Sequence, residues 1–358
     1  MRRLLITGGA GFIGANFVHY WLKHHSQDLV VVLDKLTYAG NLENLNLVQE
    51  MPNFRFVQGD ICNFELVEYL LKEYEINAIV HFAAESHVDR SITGPDAFVQ
   101  TNILGTHSLL KAARAVWLGS SAKPHRFHHI STDEVYGSLG PDEPAFREDT
   151  PYRPNSPYSA SKAASDHLVR SYGHTYGLNY TISNCSNNFG PYQFPEKLIP
   201  LTILHILSGR PIPVYGDGQN VRDWLHVEDH CVGIDLILQR GRAGEVYNIG
   251  GNNQWRNLDL VRLLCSIANA VFAEDPGLKT RFPDSPCAQG ESAEVLITFV
   301  KDRPGHDRRY AIDASKIARE LGFHVQRDFP SAMRQTFFWY LQHEGWWQRL
   351  LKKQLESH

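Results

Sequence analysis

Short apolar runs alternate with longer segments of helical periodicity from the start of the chain. Runs rich in β-branched and aromatic residues predict strands at 4–7, 29–33, 54–57, 78–82, 126–131 and 180–183. Between these runs, apolar residues recur every three to four positions and predict helices at 12–25, 63–74, 97–117 and 158–176. Several strand runs are nearly all apolar, as in parallel strands that are buried on both faces. The pattern therefore predicts an α/β fold with a Rossmann-type doubly wound parallel sheet.

The alternation becomes irregular after about residue 184. Loops rich in Gly, Pro and Asn separate the later strand and helix candidates at 196–208, 212–215, 228–239, 245–249 and 257–271. We interpret residues 185–358 mainly as a smaller C-terminal substrate-binding lobe, from which segments can return to the first domain at 1–184. The stretch 274–296 has no clear periodicity, and we expect it to be a surface excursion.

Composition and charge exclude several classes of partner. The formal net charge is −4 and the Lys and Arg residues are scattered, which argues against a surface that binds nucleic acid. No apolar run approaches the length of a membrane span, and the N-terminal apolar stretch is too short for a secretory signal. The five cysteines lie far apart, without the spacing of metal ligands. We therefore expect reduced thiols, no metal site, no membrane contact and a cytoplasmic location.

A glycine-rich loop joins the first predicted strand to the first helix. Gly8, Gly11 and Gly14 allow a tight turn, close approach of the backbone to a pyrophosphate, and close helix–strand packing. Asp34 ends the second strand, where an acid accepts hydrogen bonds from an adenosine ribose and repels the 2′-phosphate of NADP. The pattern predicts NAD, although the adjacent Lys35 weakens the choice between NAD and NADP. The alternative is an ordinary glycine turn with Asp34 as a helix cap.

Further cofactor contacts are predicted at the ends of the neighbouring strands. Asp60 closes the third strand and suits the adenine edge, whereas Ala83, Ala84 and Ser86 follow the fourth strand beside the phosphates and the nicotinamide. The rest of the predicted set is Phe12, Ile13, Lys35, Leu36, Thr37, Ile61, Phe82, Thr101 and Asn188.

Tyr158 and Lys162 lie one turn apart on the helix that follows the fifth strand. We expect the lysine ammonium, with the positive nicotinamide, to lower the pKa of the phenol, so that Tyr158 accepts a hydroxyl proton as hydride leaves for NAD. Lys162 can also hold the nicotinamide ribose, and Thr132 can hydrogen-bond the same substrate hydroxyl. A packed tyrosine with a surface lysine is the simpler alternative for this spacing taken alone.

Asp133 and Glu134 place two carboxyl groups side by side at the end of the fifth strand. Two close acids push their pKa values apart, so one can remove a proton α to a ketone while the other protonates a β-hydroxyl. Adjacent side chains of an ideal strand point to opposite faces, so the chain must leave strand geometry at Thr132. The alternative is that the two acids only cap the next turn. With Tyr158 and Lys162, the pair predicts oxidation of a sugar followed by loss of water.

Several motifs closely resemble those of the dTDP-glucose 4,6-dehydratases, a family of extended short-chain dehydrogenases/reductases. They are GGAGFIG, STDEVYG and RPGHDRRYAID, with the segments 33–41, 81–92, 157–166, 187–200 and 213–230. The resemblance implies that Glu134 is the base at carbon 5 and that Asp133 is the acid at the carbon 6 hydroxyl. It also implies that residues 1–184 bind NAD, that hydride returns to carbon 6, and that the product of dTDP-glucose is a 4-keto-6-deoxy sugar.

The resemblance also implies which residues bind the nucleotide sugar. Arg222 and Arg303 suit a diphosphate, because a guanidinium pairs bidentately with phosphate oxygens. The alternative for each arginine is a surface ion pair with a neighbour such as Asp223 or Asp302. The full predicted substrate set is Ser86, Thr132, Asn187, Lys197, Leu198, Pro213, Val214, Tyr215, Arg222, Asn257, Asp302, Arg303 and His306.

Related enzymes form a homodimer through two paired helices, here 97–117 and 158–176. The apolar and small residues expected at such an interface are Ile103, Leu104, Leu109, Leu110, Ala160, Ala164 and Leu168. The alternative is that these residues pack in the core of a single chain.

Four other functions are alternatives to this interpretation. A nucleotide-sugar 4-epimerase and a decarboxylase also make a transient 4-ketone, but neither needs the Asp133–Glu134 pair. A catalytically inactive NAD-binding protein has no reason to keep both residue pairs. A 4,6-dehydratase that acts on a UDP-sugar differs only in the base, and thymine differs from uracil by one methyl group. The choice of thymidine therefore depends on the resemblance.

Overall fold

The computed structural model describes residues 1–119 and 124–356 of the 358-residue chain. Its strands are β1 (Arg3–Thr7), β2 (Leu29–Asp34), β3 (Phe54–Gln58), β4 (Ala78–His81), β5 (Arg126–Thr132), β6 (Tyr180–Cys185), β7 (Asn187–Phe189), β8 (Ile212–Tyr215), β9 (Val221–His226), β10 (Val246–Ile249), β11 (Gln254–Arg256) and β12 (Ile297–Val300). Its helices are α1 (Phe12–His24), α2 (Phe64–Glu73), α3 (Val88–Thr93), α4 (Asp96–Phe98), α5 (Thr106–Trp117), α6 (Pro157–Tyr176), α7 (Leu198–Leu207), α8 (Val227–Arg240), α9 (Asn257–Glu274), α10 (Gly277–Arg281), α11 (Ser315–Leu321), α12 (Phe329–Gln342) and α13 (Glu344–Glu356).

The main sheet has seven parallel strands in the order β10-β6-β5-β4-β1-β2-β3. The strand order reverses at β1, which pairs with both β2 and β4, and such a reversal opens a crevice at the carboxyl ends of the strands. The predicted Rossmann-type sheet is confirmed, and the predicted strands and helices of the first half match those observed to within one or two residues. Strand β10, which lies beyond residue 184, pairs with β6 in the same sheet.

Alternate residues of the central strands fill two cores, one on each face of the sheet. In β1, Leu4 and Ile6 pack on the face that α1 and α8 cover, whereas Leu5 packs on the other face under α2 and α5. In β2, Val30 and Val31 divide in the same way. Burial on both faces explains why these strands are apolar throughout, and it fixes the sheet as the rigid base of the crevice.

The second lobe has its own core between two small sheets and helices α7, α9 and α12. One sheet has the strand order β11-β9-β7, and the other pairs β12 with β8. The stretch 274–296 lies largely at the surface, as expected, but it is structured and anchored in the core of this lobe. The segment forms α10 and two 3₁₀ turns, and its side chains Leu278, Phe282, Cys287 and Ala293 are buried in the core of this lobe.

The predicted helix 97–117 contains a π-helical segment, Val99–Gly105, between α4 and α5. The wider turn places Asn102 so that its amide nitrogen donates to Ser161 Oγ (2.8 Å) on α6 and to the Glu85 carbonyl oxygen (3.0 Å). π-Helical turns often occur at functional sites, and this one ties the loop after β4 to the helix that carries Tyr158.

The helix pair predicted to form a dimer interface is partly used within the chain. Leu109 and Leu110 are fully buried under the sheet, so their assignment to an interface was wrong and the alternative of core packing holds for both. Leu104 is 48% exposed on the same helical stretch. Within the described ranges, no helix combines the length and the apolar character that crossing a bilayer requires.

Candidate active site

A cleft of about 310 Å³ opens at the carboxyl ends of the parallel strands. Its walls come from the loop between β1 and α1, the ends of β2 to β6, helix α6 and the loops that lead to α7. Every predicted cofactor contact lines it except Leu36, whose side chain packs on the sheet core. The prediction that Leu36 contacts the cofactor stays a prediction.

Two glycines of the loop at the start of α1, Gly8 and Gly14, leave no room for a side chain. Gly8 has φ +70°, and a Cβ there would lie 2.6 Å from the Ala83 nitrogen. A Cβ on Gly14 would lie 2.2 Å from the Gly8 carbonyl oxygen. No side chain caps the first turn at Gly11, so the amides of that turn remain available to an anion. The loop thus fits the pyrophosphate of a dinucleotide.

Asp34 supports this loop as well as facing the cleft. Its carboxylate accepts hydrogen bonds from the Ala10 nitrogen (2.9 Å) and from the Leu36 nitrogen (2.8 Å). Burial raises the pKa of Asp34, although these two hydrogen bonds oppose the rise. Nearby, Lys35 Nζ lies 2.7 Å from Asp60 Oδ2. Asp34 and Asp60 thus stand at the ends of β2 and β3, where the ribose and the base of a dinucleotide would lie.

The acid pair lies on a turn, as the two adjacent carboxyl groups require. Strand β5 ends at Thr132, and the next residues form a 3₁₀ helix, Asp133–Tyr136. The Thr132 hydroxyl caps this helix by accepting from the Glu134 nitrogen (3.3 Å), so the acids are not its caps. Glu134 lines the cleft, whereas Asp133 lies just behind it and is 2% exposed, with Oδ2 buried and unpaired. The chain therefore leaves strand geometry where the sequence predicts.

Electrostatics separate the two acids. Burial, reinforced by the neighbouring Glu134, raises the pKa of Asp133 well above its ordinary value. Burial also raises the pKa of Glu134, but the cations Arg222, Arg303 and Lys197 oppose that rise. Asp133 is therefore the better proton donor and Glu134 the better base.

Tyr158 and Lys162 both face the cleft from the first turns of α6. Burial, with the nearby Glu134, raises the pKa of Tyr158 well above its ordinary value. Burial lowers the pKa of Lys162 to about 8, and its Nζ donates to the Ile130 carbonyl oxygen at 2.7 Å. The protein around Tyr158 thus raises the pKa of the phenol, and the expected lowering by Lys162 together with the positive nicotinamide stays a prediction.

Asp166 follows Lys162 by one turn of α6, and its carboxylate interacts electrostatically with the Lys162 ammonium. Its Oδ2 accepts hydrogen bonds from Ser131 Oγ (2.8 Å) and from the Tyr152 hydroxyl (2.9 Å). Burial raises the pKa of Asp166 to about 6, against the nearby Lys162. Helix α6 thus brings a phenol and an ammonium to one wall of the site, and the next turn places a buried carboxylate behind that wall.

The predicted substrate residues divide into two groups. Ser86, Thr132, Asn187 and Lys197 line the cleft, and Lys197 Nζ donates to the Ser86 carbonyl oxygen at 3.2 Å. The others lie outside its lining, in the second lobe: Leu198, Pro213, Val214, Tyr215, Arg222, Asn257, Asp302, Arg303 and His306. Val214 is 3% exposed and belongs to the core of that lobe.

Arg222 is placed differently from an ordinary surface arginine. It is 5% exposed, its Nη2 donates to the Asp307 carbonyl oxygen (2.9 Å), and its guanidinium lies 4.3 Å from the Tyr310 ring. Asp223, the alternative partner, instead accepts from the nitrogens of Gly251 and Asn253. Arg303 does form an ion pair, with Asp89 at 3.0 Å and not with Asp302. Arg222 is thus a buried cation beside the acid pair.

Several cleft residues escaped the sequence analysis. Tyr38 and Glu196 face each other across the mouth of the cleft, joined through Arg90, whose guanidinium lies 3.7 Å from the Tyr38 ring and 3.3 Å from Glu196 Oε2. All three fall in the segments 33–41, 81–92 and 187–200 that carry the family resemblance, which was the available signal. The others are Leu33, Ala39, Gly40, Gly59, Glu85, Ile130, Ser131, Cys185, Ser186, Gln193 and Phe194. Among the described residues, no group of three His, Cys, Asp or Glu side chains could hold a metal ion.

Comparison with known proteins gives consistent relatives. A family model described as GDP-mannose 4,6 dehydratase matches residues 5–336. The dTDP-glucose 4,6-dehydratase of Neisseria meningitidis is 51% identical over 354 residues, which cover 98% of this chain and 96% of that protein. The enzyme of the same name from Salmonella typhimurium is also 51% identical, over 96% of this chain and 94% of its own.

Comparison with solved structures gives the same kind of relative as comparison of the sequences. A dTDP-glucose 4,6-dehydratase from Bacillus anthracis in complex with NAD superposes with a TM-score of 0.84 at 43% identity, covering 98% of this chain and 100% of its own. One from Streptomyces venezuelae with NAD and TYD bound gives 0.85 at 46% identity, covering 97% and 99%. A UDP-glucose 4-epimerase from Thermotoga maritima gives 0.80 at 26% identity, covering 95% and 99%.

Proposed function

Because this chain belongs to the dTDP-glucose 4,6-dehydratase family, we propose that its cleft binds NAD and dTDP-glucose and removes water across carbons 5 and 6 of the sugar. The observation that carries the proposal is the placement of Asp133 and Glu134 on one turn beside Tyr158, with their pKa values raised to different extents. An epimerase shares the fold and the tyrosine–lysine pair but has no use for two acids.

Residues of the glycine loop, Asp34 and Asp60 would hold NAD, and Lys162 would hold its nicotinamide ribose. The close contacts at Gly8 and Gly14 and the uncapped first turn of α1 support this assignment. When bound, NAD supplies a hydride acceptor at carbon 4 and a hydride donor at carbon 6. In the first step, Tyr158 accepts the proton of the 4-hydroxyl, and Thr132 hydrogen-bonds the same hydroxyl.

The elimination step follows from the two acids. The ketone at carbon 4 makes the proton on carbon 5 acidic, and Glu134, kept more acidic by Arg222, removes it. The hydroxyl on carbon 6 leaves as water after Asp133 donates its proton, which burial holds on the carboxyl group. Glu134 then carries the proton taken from carbon 5 and returns it as carbon 6 is reduced. Asp133 is left as a carboxylate, and the proton that Tyr158 took from the 4-hydroxyl balances the one that Asp133 gave to water.

Mass spectrometry of the reaction tests the proposal directly. Incubation with dTDP-glucose is expected to give a nucleotide sugar lighter by one water, with UDP-glucose converted much more slowly. Faster conversion of UDP-glucose would assign the UDP-sugar activity instead. An unchanged mass with a new sugar configuration by NMR would identify an epimerase and overturn the role of Asp133 and Glu134.

We also propose a cytoplasmic location, because free thiols such as those of the five cysteines persist there. We further propose a homodimer that forms through α5 and α6. Leu104 is exposed on this helix pair, and Ala164 and Leu168 are half-buried on α6. Apolar surface of this kind is normally covered by a partner, most often around a two-fold axis.

Leu104→Glu is expected to convert the dimer to a monomer, because it places a charge in the apolar contact. Analytical ultracentrifugation of both proteins measures the change. Leu47→Glu, at a residue that is 78% exposed and away from α5 and α6, is the control and should remain dimeric. A monomeric wild-type protein, or a dimeric Leu104→Glu variant, would contradict the proposed interface.

A further inference from the structure

The last helix of the chain contacts the segment that supports the glycine loop. Trp346 on α13 is 6% exposed, and its Nε1 donates to Asn44 Oδ1 at 2.8 Å, across 302 positions of sequence. Asn44 lies in a 3₁₀ turn, Leu42–Leu45, and is 2% exposed. Both partners of this hydrogen bond are therefore shielded from water, and neither can replace it with a solvent contact.

From Asn44 the hydrogen bonds continue into the cofactor loop. The Asn44 amide nitrogen donates to the Ala10 carbonyl oxygen at 2.9 Å. The Ala10 nitrogen in turn donates to Asp34 Oδ2 at 2.9 Å. One chain of buried contacts thus runs from Trp346 through Asn44 and Ala10 to the carboxylate that faces the cleft.

Neighbouring contacts hold α13 in the same place. Arg349 pairs with Glu43 in the same 3₁₀ turn, although this ion pair is exposed and contributes little. The ring of Trp346 packs on Tyr192, which follows Pro191, the residue whose carbonyl oxygen accepts from Asn16 on α1. The indole N–H is thus a buried polar link between α13 and the loop, with apolar packing around it.

We propose that Trp346 is a positioning residue for the cofactor: through Asn44 it holds the Ala10–Asp34 segment in the geometry that retains NAD. The inference rests on the proposed NAD-dependent function. Trp346 does not line the cleft, so its effect reaches the dinucleotide only through the loop. Loss of the indole N–H leaves Asn44 Oδ1 buried without a donor. We expect the Asn44 side chain then to rotate to satisfy this oxygen, which breaks its hydrogen bond to the Ala10 carbonyl oxygen.

The test compares two adjacent tryptophans. Trp346→Phe keeps an aromatic ring and removes the N–H that reaches Asn44. Trp347→Phe is the matched control, because its Nε1 donates to the Tyr340 carbonyl oxygen (2.9 Å) and makes no contact with the loop. The release of radiolabelled NAD from each holoenzyme, chased with unlabelled NAD, gives the dissociation rate. Calorimetric titration of NAD into the stripped proteins gives Kd.

We expect Trp346→Phe to raise Kd and the dissociation rate about tenfold, the effect of one lost buried hydrogen bond. Trp347→Phe should change both less than twofold, and kcat at saturating NAD should stay near wild type in each variant. Asn44→Leu should give the same loss, and the double variant should bind NAD no more weakly than Asn44→Leu alone. If Trp346→Phe does not fold, the NAD affinity of Asn44→Leu compared with that of Trp347→Phe tests the proposal instead.

Unchanged NAD affinity in Trp346→Phe would overturn the inference. Equal weakening by Trp346→Phe and Trp347→Phe, with equal losses of Tm, would also overturn it, because the effect would then be general destabilisation. Failure of the wild-type protein to bind NAD would contradict the proposed function itself, and it is seen in the same titration before any variant is compared.

Discussion

Replacement of Asp133 by Asn is expected to lower kcat for loss of water by about 10²- to 10⁴-fold. Asn has the same shape but has no acidic proton to give to the leaving hydroxyl. Glu134→Gln should lower kcat by a similar factor, because it removes the base at carbon 5. Product formation measured by mass spectrometry gives both values. Asp142→Asn, at an exposed acid in the loop beyond the same strand, is the control and should retain wild-type kcat.

Solvent deuterium separates the two roles. In D₂O, Asp133→Asn should still exchange the proton on carbon 5, since Glu134 is intact, whereas Glu134→Gln should lose exchange and product together. Exchange that persists in Glu134→Gln would show that another group is the base.

The same assignment sets the dependence of kcat on pH. As pH falls through the pKa of Glu134, which is raised above its ordinary value, the base is lost and kcat falls. As pH rises through the pKa of Asp133, which is raised further, the acid is lost and kcat falls again. The profile should therefore be bell-shaped, with limbs that belong to the coupled pair.

Tyr158→Phe is expected to lower kcat by a comparable factor, about 10³-fold, because the other phenol among the described cleft residues, Tyr38, lies against Arg90 at the mouth of the cleft. Phe keeps the ring, and the ring contact with Phe98 persists, so stability should change little. The measurement is stopped-flow absorbance at 340 nm after mixing with dTDP-glucose, which reports hydride transfer from carbon 4. Tyr172→Phe, further along the same helix, is the control. A Tyr158→Phe variant that keeps a tenth of wild-type kcat would exclude the phenol as the proton acceptor.

Local signals predicted the first half of the fold well. Several strands of the main sheet are nearly all apolar, and the glycine loop is contiguous in sequence, so both can be recognised without knowledge of the tertiary structure. The π-helical segment around Asn102 leaves no such signal, because its residues are those of an ordinary helix and only contacts with Glu85 and Ser161 reveal the wider turn.

The second lobe was predicted less well, because its elements also leave little local signal in the sequence. Strand β9 has the sequence VRDWLH, and its charged residues hide the strand until Arg222 is seen buried against Tyr310. Segment 274–296 appeared irregular because its apolar residues belong to a five-residue helix and two 3₁₀ turns, which are too short for a visible period and pack on the core around α9. The separation of the Asp133 and Glu134 pKa values likewise depends on burial and on the cations Arg303 and Lys197 near Glu134, which the spacing of the two acids does not reveal.

The bond between Trp346 and Asn44 has a consequence for biosynthesis. A ribosome releases the N-terminal sheet long before it makes α13, and contacts between residues 302 positions apart form late in folding. A nascent chain that stops before residue 344 can contain every strand of the sheet and still lack the last support of the loop that precedes α1. Tight binding of the dinucleotide would then distinguish chains that contain α13 from chains that are truncated before it.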